Sequence, residues 1–152
     1  MRSCAGYCVA TYVMGIGDRH NDNIMVKRSG HYFHIDFGHI LGNFKYAFGI
    51  KRERTAFVFT PEMSYVMGGR SGAAFKRFVR LCCTAFNVLR KHSATLINLF
   101  TLMVPSGIPE LASRDDISYL RDMLHLAKSD EQASKLFRTE IDNALNNWFR
   151  RF

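Results

Sequence analysis

Asp18, Arg19, His20 and Asn23 lie within six positions of the segment GIGDRHNDN, and Asp36 follows in the tripeptide Asp36-Phe37-Gly38. Carboxylate and amide oxygens are the donors Mg2+ prefers, and it usually takes one or two protein carboxylates while phosphate oxygens and water complete its octahedron. Asn23 and Asp36 stand 13 residues apart, enough for two short strands and a tight turn, so a hairpin would fold them close together. Phosphoryl-transfer sites use such a pair, an Asn in a catalytic loop and the Asp of an Asp-Phe-Gly segment, to hold the metal ions that bridge the phosphates of ATP. His20 and His39 bracket this pair. An imidazole near neutrality takes a hydroxyl proton or, when charged, stabilises a transferring phosphoryl group, and Asp18 is placed to orient either ring. His34, inside an apolar run, has no proton to move and is expected to be a hydrogen-bonded structural residue.

The chain carries a net charge of +8 and a pI near 9.6, which points to a polyanionic partner. Lys27, Arg28, Lys45, Lys51, Arg52 and Arg54 cluster in the first third, and the acidic residues lie mostly beyond Glu110. The run Lys51-Arg52-Glu53-Arg54, with Lys45 upstream, reads either as a solvated charged face or as a basic loop whose arginine forks match phosphate oxygens.

These residues need elements to position them. Residues 3–14 are apolar nearly all round and stop at Gly15, the pattern of a buried helix closed by a glycine. Runs 24–27 and 32–35 flank Arg28-Ser29-Gly30-His31 as a small hairpin. From Asp36 to Thr60 glycines, aromatics and basic residues alternate without a period, which predicts an exposed loop. After Pro61 the pattern turns helical. Phe75, Phe78, Val79, Cys82, Phe86 and Leu89 form one stripe, and Ala94 to Met103 forms a second segment broken by Pro105. Asp115 or Asp116 is expected to cap a helix running through Leu126. Ser129 or Asp130 is expected to cap the last, with Leu136, Phe137, Ile141, Leu145 and Trp148 as its apolar stripe. The expected fold class is α+β, predominantly α-helical, in one domain with a small β-hairpin.

Composition narrows the setting. Cys4 and Cys8 are one helical turn apart and Cys82 and Cys83 are adjacent; this is neither a secreted disulfide framework nor a zinc spacing, so reduced core thiols are expected. No run of about 18 apolar residues occurs, and the first residues lack the pattern of a secretory leader, so a cytoplasmic protein is expected.

The strings Gly17-Asp-Arg-His-Asn-Asp-Asn-Ile-Met25 and Phe33-His-Ile-Asp-Phe-Gly-His39 resemble the catalytic and metal-binding loops of phosphoinositide 3-kinases. Gly42-Asn-Phe-Lys45 and Phe48-Gly-Ile-Lys-Arg-Glu-Arg54 resemble the class I activation loop, and the likeness continues through Gly107-Ile-Pro-Glu-Leu111 and Tyr119-Leu-Arg-Asp122. It implies the C-terminal lobe of a PI3K/PI4K catalytic domain over residues 1–152: catalytic loop 15–23, Asp-Phe-Gly segment 36–38, activation loop 39–60, helical remainder 61–152. It also implies ATP and Mg2+ as cofactors, with Asn23 and Asp36 binding the metal. His20 would assist deprotonation of the inositol 3-hydroxyl and His39 would face the γ-phosphate. Lys45, Lys51, Arg52 and Arg54 would read the phosphates of phosphatidylinositol 4,5-bisphosphate or a related phosphoinositide at an anionic membrane surface.

The family further suggests a regulatory subunit for the intact kinase and no nucleic-acid partner. Ala47 and Thr55-Ala56 depart from the class I pattern, and Phe57-Val-Phe-Thr60 is similar to class II. Because these 152 residues contain no G-x-G-x-x-G segment, the fragment alone is expected to be inactive. The rival readings are a phosphoinositide-kinase-like Ser/Thr protein kinase and a non-catalytic anionic-lipid-binding module.

Overall fold

A computed structural model describes residues 1–44, 46–47, 50–51, 55–111 and 113–148. Helix α1 (Arg2–Met14) buries Cys4, Ala5, Cys8, Val9, Thr11, Tyr12 and Val13, so its sides face protein nearly all round, as its unbroken apolar composition requires. Gly15 closes it at φ 56°. The Ile16 amide reaches the Thr11 carbonyl at 3.0 Å and the Gly15 amide reaches Tyr12 at 3.4 Å, the Schellman closure that satisfies a helix's last carbonyls.

Strands β1 (Ile24–Val26) and β2 (Tyr32–His34) pair antiparallel, with Ile24 opposite His34 and Val26 opposite Tyr32. The hairpin lies where the turn residues Ser29 and Gly30 predict it, and β2 packs on α1. A second hairpin, β3 (Tyr46–Ala47) and β4 (Ile50–Lys51), falls within the segment expected to be an open loop.

The rest is helical: α2 (Pro61–Val66), α3 (Ala73–Lys91), α4 (Ser93–Met103), a 3-10 turn at Val104–Ser106, α5 (Arg114–Met123) and α6 (Asp130–Trp148). Helix α3 is central, packing on α1 on one side and α6 on another. Its buried residues Phe75, Phe78, Cys82, Phe86 and Arg90 continue the three- and four-residue spacing of its stripe. Tyr12, Phe86 and Phe137 meet in this core with centroids 5.2–5.4 Å apart. All four cysteines are buried and free.

Three expectations change. The loop expected to be exposed from Asp36 to Thr60 is anchored at its exit: Phe57 stacks on Phe137 and Phe59 on Phe78 at 4.6 Å, because burying two aromatic rings outweighs the loop's freedom. Neither Asp115 nor Asp116 caps α5. Ser113 does, accepting from the Asp115 amide, while Asp116 returns a carboxylate to the Ser113 amide at 2.9 Å, a capping box in which the aspartate occupies the third helical position. The helix ends at Met123 rather than Leu126, with His125 at φ 46° beyond it. For α6, Ser129 is the cap, exchanging bonds with Gln132 at 3.2 and 3.0 Å.

Arg90 is buried at 8% exposure, and pins the connection between α5 and α6. Its guanidinium donates to the carbonyls of Leu124, His125 and Lys128, to the Asn87 side-chain oxygen and to the Asp130 carboxylate. Every donor direction is used, the condition under which a buried charge is tolerated.

Candidate active site

The residues expected to form the catalytic loop occupy a tight turn. Asp18 adopts φ 55°, a left-handed conformation that Asp and Asn tolerate better than most residues. Asn23 is 2% exposed. Its Oδ1 accepts from the His20 amide at 2.9 Å and its Nδ2 donates to the Asp18 carbonyl, so one amide side chain holds the turn's shape from inside. His20 is half exposed, with Nε2 3.9 Å from the Asp18 carboxylate and Nδ1 3.8 Å from that of Asp22. The Asp22 amide donates to Nδ1 at 3.2 Å, which places the proton of a neutral ring on Nε2, toward Asp18.

Backbone bonds join this turn to the Asp-Phe-Gly segment. Leu41 donates to Met14 at 2.7 Å, Gly17 to His39 at 2.8 Å and Ile35 to Asn23 at 3.0 Å. Arg19 completes the seam: Nε donates to the Gly17 carbonyl and one terminal nitrogen to Ile35, both at 2.8 Å, while the other reaches the Asp36 carbonyl. Its guanidinium also lies 5.7 Å from the centroid of the Phe37 ring. Burial lowers the Arg19 pKa, the charges of Asp36 and Asp18 oppose that shift, and arginine stays protonated regardless. Spacing alone gave Arg19 no task; in the fold it binds the two loops that carry the candidate chemistry.

Asp36 sits at φ 59° with its side chain exposed, Oδ1 3.4 Å from the Gly38 amide. His39 directs Nδ1 at the Asn43 carbonyl, 3.1 Å away; a carbonyl can only accept, so Nδ1 carries the proton and the lone pair of the neutral ring is at Nε2. Asp18, His20, Asn23, Asp36 and His39 are thus joined across one seam. Lys51 falls in β4, whereas Lys45, Arg52 and Arg54 lie outside the described residues.

Among the described residues no group of three or more His, Cys, Asp or Glu forms a metal cage. The donor set nonetheless fits Mg2+, which asks of a protein only one or two hard oxygens. Asp36 offers an exposed carboxylate, and the Asn23 Oδ1 retains a second lone pair beside the one used by His20.

His34 is 4% exposed, with Nε2 2.9 Å from the Tyr32 hydroxyl and Nδ1 3.4 Å from Thr11 Oγ1. Burial, aided by the Arg19 charge, holds its pKa down to about 4 from an ordinary 6.5. A depressed folded-state pKa means the unfolded chain binds the proton more readily. The stability is therefore complete above about pH 6.5 and lost as pH falls toward 4. Between pH 7 and pH 5 the loss from this residue should be about 2 kcal/mol. Urea titrations of the wild type and His34→Gln test this. Equal pH dependence in the two proteins would dismiss the assignment.

Tyr119 from α5 also enters the seam. A Cβ on Gly15 would stand 2.5 Å from its ring, and one on Gly42 2.7 Å, so the ring is seated against the glycines that precede the Asp18 turn and follow the Asp-Phe-Gly segment. Nothing in the local pattern of α5 signalled this contact.

Comparison with known proteins agrees with the geometry. The family described as phosphatidylinositol 3- and 4-kinase matches residues 1–113. Phosphatidylinositol 3-kinase 1 of Dictyostelium discoideum is 54% identical over 97% of this chain and 10% of its own length, and phosphatidylinositol 3-kinase 2 of the same organism is 58% identical over 95% and 8%. The phosphatidylinositol 4-phosphate 3-kinase C2 domain-containing subunit alpha of Pongo abelii is 47% identical over 99% of this chain and 9% of its own length. The chain spans about a tenth of the length of these relatives. With its helical lobe, its hairpin and the loops joined across it, the chain belongs to the phosphatidylinositol 3- and 4-kinase family and carries part of a phosphatidylinositol 3-kinase catalytic domain.

Proposed function

We propose that the kinase to which this chain contributes transfers the γ-phosphoryl group of ATP to the 3-hydroxyl of a phosphoinositide. The observation that carries the reading is the Arg19 seam, which ties the Asn23 turn to Asp36. Asn23 and Asp36 would hold Mg2+, which supplies charge neutralisation at the transferring phosphate. His20 serves the hydroxyl proton. To accept it at Nδ1 the ring must release the Asp22 amide, and Asp18 then steadies the imidazolium through Nε2. His39, whose Nδ1 is held by Asn43, turns Nε2 toward the γ-phosphate. Lys45, Lys51, Arg52 and Arg54 bind the headgroup phosphates.

Relatives here include one named for phosphatidylinositol 4-phosphate, so both that lipid and phosphatidylinositol 4,5-bisphosphate are candidate substrates. The setting is cytoplasmic, with recruitment to an anionic membrane.

The test replaces the matching segment of Dictyostelium phosphatidylinositol 3-kinase 1 with this chain and assays Mg-ATP-dependent phosphorylation of vesicles holding either lipid. The graft is expected to remain active on at least one lipid and inactive on a Ser/Thr peptide, while the 152 residues alone give no turnover. A folded graft that phosphorylates neither lipid would sink the proposal.

A further inference from the structure

Away from the candidate catalytic seam, α3, α6 and Arg70 border an open cleft of about 380 Å3 lined by Arg70, Phe75, Lys76, Val79, Arg80 and Arg138. Four of these six residues are cations. Lys76 and Arg80 are one helical turn apart on α3 and share a face, and Arg138 approaches from α6. Arg70 is already neutralised by Asp142 at 2.7 Å and also donates to Asn146 at 3.0 Å. Among the described residues, Lys76, Arg80 and Arg138 have no ion pair or hydrogen-bond partner. Three exposed positive charges without an ion-pair partner therefore line one concavity, a local potential that favours an anion.

The floor is fixed as well as apolar, since Phe75 is buried and packs 6.2 Å from both Phe59 and Phe78. A few residues upstream, Tyr65 and Val66 are 83% and 84% exposed. The Gly69 amide donates to the Ser64 carbonyl at 2.9 Å, folding this apolar tip back beside Arg70. An exposed tyrosine a few residues from a basic cleft supplies the two residue types found at membrane interfaces, where the ring enters the headgroup layer and the cations meet phosphate.

We propose that this cleft is a second anion site, separate from the catalytic loops, which takes the phosphomonoester headgroup of an acidic membrane lipid. Such a group carries between one and two negative charges at neutral pH and several strong acceptor oxygens. Lys76, Arg80 and Arg138 supply its donors, Phe75 and Val79 face its carbon skeleton, and Tyr65 and Val66 enter the leaflet.

The experiment is partition of the full chain onto phosphatidylcholine vesicles with and without one part in five phosphatidic acid. That lipid carries a phosphomonoester and no inositol hydroxyl, so binding is measured independently of any kinase activity, and its failure is distinct from failure of the catalytic reading. The combined variant Lys76→Gln, Arg80→Gln and Arg138→Gln changes exposed side chains only. Each cation near an anionic leaflet is worth roughly fivefold in partition, so its loss is expected to be on the order of 100-fold. The control Arg77→Gln, Arg121→Gln and Lys135→Gln removes equal charge elsewhere and should cost at least tenfold less. Tyr65→Ser with Val66→Ser should weaken vesicle binding several-fold and leave binding of soluble glycerol 3-phosphate unchanged. Equal losses in the two charge variants would reduce the effect to net charge and overturn the site. Loss of glycerol 3-phosphate binding with vesicle partition intact would assign the cleft to soluble phosphates and overturn the lipid.

Discussion

Replacing Asp36 by Asn in the grafted kinase should lower kcat on lipid by at least about a thousandfold with little change in stability. The substitution isolates charge from shape. Asp36 lies at φ 59°, a backbone state that Asn adopts at least as readily as Asp. The amide oxygen keeps the contact to the Gly38 amide that the carboxylate makes at 3.4 Å, and the Arg19 bond is to the Asp36 backbone carbonyl, which the variant retains. What disappears is one negative charge at the position proposed to hold Mg2+. Stabilisation of transition-state charge by a bound metal is worth several kcal/mol, and each 1.36 kcal/mol is tenfold in rate. The loss should fall mainly on kcat and ease in part as Mg2+ is raised. Less than a tenfold loss in a folded variant would remove Asp36 from the metal site.

How far the sequence disclosed this arrangement depended on the range over which each signal acts. Helix α1 was legible because an unbroken apolar run ending in a glycine needs no knowledge of its neighbours. The hairpin was legible because turn residues separate two short apolar runs. The α3 stripe likewise repeats within one helix. The cap of α5 was misplaced because Asp115 and Asp116 are themselves good caps; the deciding feature was the reciprocal bond between Ser113 and the third residue after it. Phe57 and Phe59 looked like loop residues since their partners, Phe137 and Phe78, are distant in sequence.

The same holds at the site. Asp18, His20, Asn23, Asp36 and His39 are singled out by type and spacing, and the structure brings their backbones to one seam. The device that joins them could not be read that way. Two of the three carbonyls bound by Arg19 belong to residues 35 and 36, and a guanidinium beside a catalytic motif more readily suggests phosphate binding than structural pinning. The lysine and arginine run expected to belong to an activation loop is the reverse case, because its charge was plain in the sequence but Lys45, Arg52 and Arg54 lie outside the described residues.

A methyl group added at Gly15 is expected to destabilise the chain by about 3 kcal/mol or more. Two costs combine. At φ 56° and ψ 45° a residue with a Cβ meets the steric penalty of the left-handed region, about 1–2 kcal/mol. The new carbon would also stand 2.5 Å from Cε1 of Tyr119 and 2.6 Å from its Cζ and hydroxyl oxygen. The ring has little room to yield, since Gly42 already closes on its far edge, where a Cβ would fall 2.7 Å away. Relief by backbone movement would open the Schellman bonds of α1 or shift Gly17 from the His39 carbonyl, moving the root of the turn that holds Asp18, His20 and Asn23. Urea unfolding of Gly15→Ala, Tyr119→Ala and the double variant separates the terms. Removing the ring should relieve the collision and leave the dihedral cost, so the double variant should be more stable than the sum of the singles predicts by roughly 1–2 kcal/mol. Strict additivity would mean that Tyr119 does not contact Gly15 in solution, and would withdraw α5 from the elements that position the active-site seam.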